Sequence, residues 1–231
     1  MWVLLVAFLL VFGLQTALEF FKESSALAML TTKFAEINSA FGGSIASLAN
    51  DLGTSCQQLD EGECRYLCAG LLHRIRDYAA AALAVTSVPR LRATLAVPLF
   101  ENESTTPTYL RVWCYDSTHA DRHWTRLELH WPGAPAAFTS REVQVIRDVN
   151  ELRTITQLPT RQFRSVICIP VSPTDEKTQP LAIVNIDADS AGYFNLRTFL
   201  TTVNPWIAAA IQLIGMVLKS RKEGVAYEFG K

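Results

Sequence analysis

The sequence predicts an α+β domain: an antiparallel six-stranded sheet with N- and C-terminal helices on one face, preceded by a transmembrane helix and a long connecting helix. Three observations predict it. An uncharged apolar run, Trp2 to Leu18, opens the chain. Apolar residues recur with a period of two through much of the stretch from Arg90 to Asp187. Helical patterns flank that stretch, from Glu61 and again from Asn204. Composition agrees. The 231 residues are 49% hydrophobic and 19% charged, which excludes a disordered chain. The 21 basic and 22 acidic side chains leave no basic stripe for nucleic acid. The 5 cysteines form no regular framework, so reduced thiols are expected rather than a disulfide scaffold.

Residues 1–21 read as a membrane anchor. As a helix, Trp2 to Leu18 spans about 26 Å, near the lower limit for a hydrocarbon core. Trp2 takes the place of an interfacial aromatic at one end, and Phe20 and Phe21 lie near the other. A cleaved signal peptide would want basic residues before the run and a small-x-small cleavage site. The run has no such residues before it, and LQTALEF is a poor site. Lys22 and Lys33 follow the run and no Lys or Arg precedes it, which places the larger part in the cytoplasm. The expectation is a single-pass protein of the cell inner membrane with a cytoplasmic domain.

Residues 22–56 read as a connecting amphipathic helix. Leu27, Leu30, Phe34, Ile37, Phe41, Ile45 and Leu48 form a narrow apolar seam. Such a seam packs either on the chain's own domain or in a parallel coiled coil between two copies. Gly42 and Gly43 interrupt it, at about 1 kcal/mol each in a helix interior.

The globular part spans 57–222, with a tail at 223–231. Asp60 and Glu63 have the spacing of a capping box. Leu67, Leu71, Leu72, Ile75, Tyr78, Ala79 and Ala82 then form one helical face that ends near Val85. Leu91, Ala93, Leu95, Val97 and Leu99 alternate in a strand ended by Pro98 and the acidic residues after it. In the next strand Leu110, Val112 and Cys114 share one face and Arg111, Trp113 and Tyr115 the other. Leu127, Leu129 and Trp131 mark a third strand. A short strand from Glu142 to Arg147 precedes a helix that breaks at Pro159. FRSVICIPV and LAIVNID form a hairpin. Asn204 caps the last helix, Pro205 suits its first position, and Gly224 stops it. Its 13-residue apolar core, WIAAAIQLIGMVL, is too short to span a bilayer and reads as a core or dimer helix.

FRSVICIPV (163–171), then LAIVNIDAD (181–189), then YFN and a closing apolar helix, resembles the end of a GAF domain. That family has a strand that opens with RS-apolar and closes on P, a G-apolar-apolar-N-apolar-D strand and an aromatic before its last helix. WPGAPAAF (131–138) and the strand after it look like the family's middle segment. The resemblance covers about residues 57–220. It implies a small-molecule sensor with a ligand pocket on one sheet face under the middle helices. The opposite face would carry the terminal helices, which often pair between two subunits. The Asn-Lys, Phe, Asp-Glu signature of cyclic-nucleotide members is absent, as is the attachment cysteine of bilin-binding members.

Six residues are candidates for ligand binding: Arg111, Trp113, Tyr115, Arg164, Asn185 and Asp187. If the smaller Ala182, Val184 and Ile186 accept the terminal helices, Asn185 and Asp187 face the pocket. An amide and a carboxylate there can read a base edge or hydroxyls; a turn-forming pair at a strand end is the plainer alternative. Arg111, Trp113 and Tyr115 combine a cation with aromatic rings, which suits a nucleotide or another small anionic metabolite, unless they only form an amphipathic outer face. Arg164, with Arg141 and Arg147, offers phosphate contacts or ordinary solvated charge. His119 and His123, near Cys114, have metal-ligand spacing, but their setting reads as a turn. Cys64 and Cys68, one helical turn apart, read as small buried apolar residues before redox groups. The chain lacks G-x-S-x-G, H-E-x-x-H and P-loop motifs, so it is not expected to be an enzyme.

The resulting expectation is a membrane-anchored, homodimeric sensor that passes its ligand state to an output protein or to its own span. Two alternatives stand beside it: a ligand-gated membrane-disrupting effector of a bacterial nucleotide-signalling defence system, and a ligand-free membrane scaffold that uses the fold for dimerisation.

Overall fold

In the computed structural model the described residues are 59–83, 90–100, 107–116, 126–151, 163–172 and 179–220. The expected membrane anchor, connecting helix, His119, His123, the Pro159 break and the tail lie outside them. Helix α1 is Glu61–Leu83. It opens on the capping box that its sequence predicts: Glu63 N–H donates to Asp60 Oδ1 at 2.8 Å and Asp60 N–H to Glu63 Oε2 at 2.9 Å. Cys64, Cys68, Leu71, Leu72, Ile75, Tyr78 and Ala79 form its buried face. Fully burying each of the larger ones is worth about 1.5–3 kcal/mol, so packing rather than intrinsic propensity holds the helix.

Six strands follow: β1 Leu91–Leu99, β2 Tyr109–Tyr115, β3 Arg126–Glu128, β4 Gln144–Ile146, β5 Ser165–Val171 and β6 Ala182–Ala188. They form a single sheet in the order β3-β2-β1-β6-β5-β4, with every neighbouring pair antiparallel. Contrary to expectation, β1 runs through Pro98. Its ladder to β6 ends at Ala96 opposite Ile183, so the missing Pro98 N–H falls where only β2 is paired. Strand β3 is shorter than expected. A turn begins at Leu129, and Trp131 N–H donates back to Glu128 O at 2.9 Å. The β5–β6 hairpin is paired from Ser165 opposite Ala188 to Val171 opposite Ala182.

Helix α2 is Ala134–Ser140. Near the C-terminus, α3 (Leu196–Thr198) runs through a π-helical turn, Phe199–Val203, into α4 (Asn204–Lys219). The cap is Asn195, whose Oδ1 accepts from Thr198 N–H at 3.1 Å, and not Asn204, which lies within the continuous helical run. Pro205 therefore sits inside the run, where its missing N–H would break an ordinary turn, and the wider π turn immediately before it absorbs the defect. Among the described residues, Leu196–Lys219 is the one helix long and apolar enough to cross a membrane by length and composition alone. Its Ile207, Ala210, Ile214 and Val217 are buried against the domain.

The sheet has two covered faces. Helices α1 and α4 cover the side onto which Leu95, Val97, Ile167, Ile169, Val184 and Ile186 point. There Cys64 Sγ lies 3.7 Å from Val217 O, and Leu59 N–H donates to Ser220 O at 3.0 Å. Helix α2 covers the other side. Its Ala134, Ala137 and Phe138 pack with Ala96, Leu110, Leu127, Val166, Cys168 and Ile183.

Candidate functional site

The strand register decides which side chains meet on the α2 side. Opposed residues of antiparallel strands share a face. Tyr115, Thr94, Asn185, Cys168 and Gln144 lie in one row across the sheet, and Arg92, Asp187, Val166 and Ile146 in the next. Asn185 and Asp187 therefore share the face of Ile183, under α2, while Ala182, Val184 and Ile186 face the terminal helices. The apolar half of this face is filled by α2. The half that carries Arg92, Thr94, Tyr115, Asn185 and Asp187 is polar.

Asn185 is 6% exposed and Asp187 7%. Asn185 Nδ2 donates to Thr94 Oγ1 at 3.2 Å, whereas its Oδ1 has no hydrogen-bond partner among the described residues. A buried acceptor left in that state costs about 1–3 kcal/mol. Asp187 Oδ2 lies 4.0 Å from the Arg92 guanidinium, which in turn lies 5.5 Å from the centre of the Phe163 ring. These groups form a compact polar site at the end of an otherwise apolar face.

Arg111 and Trp113 do not share a face with Tyr115. The β1–β2 register shifts so that Leu95 opposes Cys114 and Ala96 opposes Val112, which leaves Trp113 as an extra residue. The bulge turns both Trp113 and Cys114 toward α1. Trp113 Nε1–H donates to Glu61 Oε1 at 3.2 Å, and Cys114 Sγ lies 3.3 Å from Arg65 O. Tyr115, one residue on, reaches the α2 side opposite Thr94. Arg111 stays on the helix side, opposite Val97 and Arg126. Arg164 belongs to neither face. It makes a two-point pair with Asp148, at 2.7 and 3.2 Å, that ties the exit of β4 to the start of β5. The Arg164 hydrogen bond holds the Asp148 carboxyl below its ordinary value.

Of the residues singled out in the sequence, Tyr115, Asn185 and Asp187 come together. Sequence reasoning missed Arg92, Thr94 and Phe163. The signal for Arg92 and Thr94 was present: they are the polar positions of a strand whose other residues are nearly all apolar. Among the described residues, no group of three or more His, Cys, Asp or Glu side chains can hold a metal ion. The Cys68 and Cys114 thiols are both pushed up, first by burial, Cys114 to about 12.

A six-stranded antiparallel sheet with terminal helices on one face and a short helix over the other decides the architecture. The fold is GAF-like. The GAF domain of an Acinetobacter phosphoenolpyruvate-protein phosphotransferase is 8% identical, with a TM-score of 0.49, over 76% of this chain and 90% of that one. The second GAF domain of DevS from Mycobacterium smegmatis is 13% identical, with a TM-score of 0.41, over 63% of this chain and 92% of that one. A free methionine-R-sulfoxide reductase from Neisseria meningitidis is 10% identical, with a TM-score of 0.45, over 79% of this chain and 92% of that one. No family model matches the sequence, and no curated protein matches it. At these identities the likenesses concern the fold alone, and the activity of this chain has to be argued from its own residues.

Proposed function

We propose that this chain is a membrane-anchored, dimeric sensor that holds a small molecule on the α2 face and passes its state to a partner protein or to its own span. The observation that carries this reading is the buried Asn185 Oδ1 without a partner, beside Thr94, Asp187 and Tyr115. A buried acceptor that no described residue satisfies is a place for a ligand group. A route to the helices supports the reading. Tyr115 is on the ligand side, and the next residue, Asp116, accepts from both Ala93 N–H and Arg76 of α1. A ligand that prefers one placement of Tyr115 and Thr94 biases α1 through Asp116, by the difference in its affinity for the two packings.

Binding is the reading we adopt over thiol catalysis at Cys68 or Cys114, whose thiols burial pushes up. The test is native mass spectrometry of the full chain in detergent micelles, beside Asn185→Leu. A small molecule carried by the wild type and lost from the variant is the expected result. Equal spectra with no added mass would leave the ligand-free scaffold. Membrane leakage on expression, abolished by deleting residues 1–18, would instead favour the effector.

A further inference from the structure

We infer that the ligand of the α2 face is an uncharged hydrogen-bond donor, a neutral molecule that offers an N–H or O–H to Asn185 Oδ1, and not an anion. The inference rests on the sensor reading and specifies the chemistry of its site. An anionic ligand followed from a face built of Arg111, Trp113 and Tyr115. Arg111 stands opposite Val97 on the helix side and Trp113 turns to Glu61 of α1, so neither the cation nor the indole belongs to the α2 face. The arginine that does stand there, Arg92, faces Asp187 at 4.0 Å and lies against Phe163. At the rim, Arg164 is engaged at two points by Asp148. Each of these positive charges is matched by a carboxylate, so among the described residues no unmatched cation faces the site. What remains unsatisfied is an acceptor, with the Asp187 carboxylate in the neighbouring row. A phosphate or carboxylate placed there would set lone pairs against lone pairs in a desolvated setting. A neutral donor would complete the hydrogen bonding of Asn185.

The test uses the full chain in detergent micelles and thermal unfolding. The probes are two fractions of a bacterial metabolite extract: one that passes both anion and cation exchangers, and one that is retained by the anion exchanger. The uncharged fraction should raise Tm by a few degrees and the retained fraction should not. Asn185→Leu should abolish the response while its ligand-free Tm equals or exceeds that of the wild type, because the orphan acceptor is gone. Asn185→Met serves as a second variant should the branched side chain disturb β6. A response to the retained fraction alone overturns the inference and leaves the sensor reading standing. It would mean that the Asn185 amide points its N–H, not its oxygen, into the site. A ligand-free Tm lowered in both variants, with the response kept, also overturns it, since Asn185 would then be structural. No response to either fraction ends the sensor reading and this inference with it.

Discussion

Arg76 on α1 and Asp116 at the end of β2 meet at 3.1 Å, with 13% and 2% of their side chains exposed. Asp116 is also bonded twice to Ala93: its Oδ2 accepts from Ala93 N–H, and its N–H donates to Ala93 O, both at 3.0 Å. One carboxylate thus joins α1, β1 and β2, next to Tyr115. Asp116→Ala leaves the Ala93 N–H without its carboxylate acceptor and takes one of two carboxylates from Arg76, which keeps Asp77 at 2.7 Å, and should lower the unfolding free energy by about 1–3 kcal/mol, read by denaturant titration. Asp116→Asn keeps an acceptor for Ala93 N–H and should lose less.

The Asp148–Arg164 pair sets an acid dependence. Hydrogen bonding from Arg164 lowers the folded-state value of the Asp148 carboxyl below its unfolded one. A lowered carboxylate stabilises the fold above its unfolded value, near pH 4, and that contribution is lost as pH falls through the folded value. Asp148→Asn should lower stability modestly above pH 4 and flatten this part of the acid unfolding profile, so that variant and wild type converge as pH falls; the half-exposed Arg164 keeps the difference small.

The four described cysteines, Cys64, Cys68, Cys114 and Cys168, are free and buried. With Cys68 and Cys114 pushed up, the folded protein in a Cys56→Ser background should resist iodoacetamide at pH 8. After denaturation it should take up four labels, counted by intact mass. Labelling of the folded form would show that α1 lifts from β2 on that timescale.

Gly133 has φ +87°, and a Cβ there would come within 3.0 Å of Ile146 Cδ1 and 3.6 Å of Cys168 Sγ. Gly133→Ala should destabilise by about 1–3 kcal/mol and loosen α2 over the candidate site. Tm and the amide exchange of Ala137 and Phe138 would show it.

Much of the architecture was legible because it rests on local rules. The Asp60–Glu63 spacing is a complete device within four residues, and the alternation in FRSVICIPV and LAIVNID leaves a single register that buries the apolar side. The bulge at Trp113 was not legible. In YLRVWCY the alternation is consistent with an unbroken strand, and only the position of β1 against β2 reveals the extra residue. That one residue exchanges the faces of Cys114 and Tyr115, and so separates Tyr115 from the Arg111 and Trp113 with which it was expected to share a face. The last helix was misplaced at its start for a related reason. Asn204-Pro205 has the form of a helix beginning, and the signal that overrides it, Asn195 with a tolerant π turn between, lies nine residues upstream.

The bond from Leu59 N–H to Ser220 O, at 3.0 Å, has a mechanical consequence. The lead-in to α1 and the far end of α4 are fastened at this point. With the Cys64 Sγ–Val217 O contact one turn further in, this bond resists sliding of the two long helices past each other on the sheet. Fluorophores placed at 59 and 220 should therefore keep a constant separation under any ligand that the proposed sensor binds, whatever happens elsewhere along the two helices.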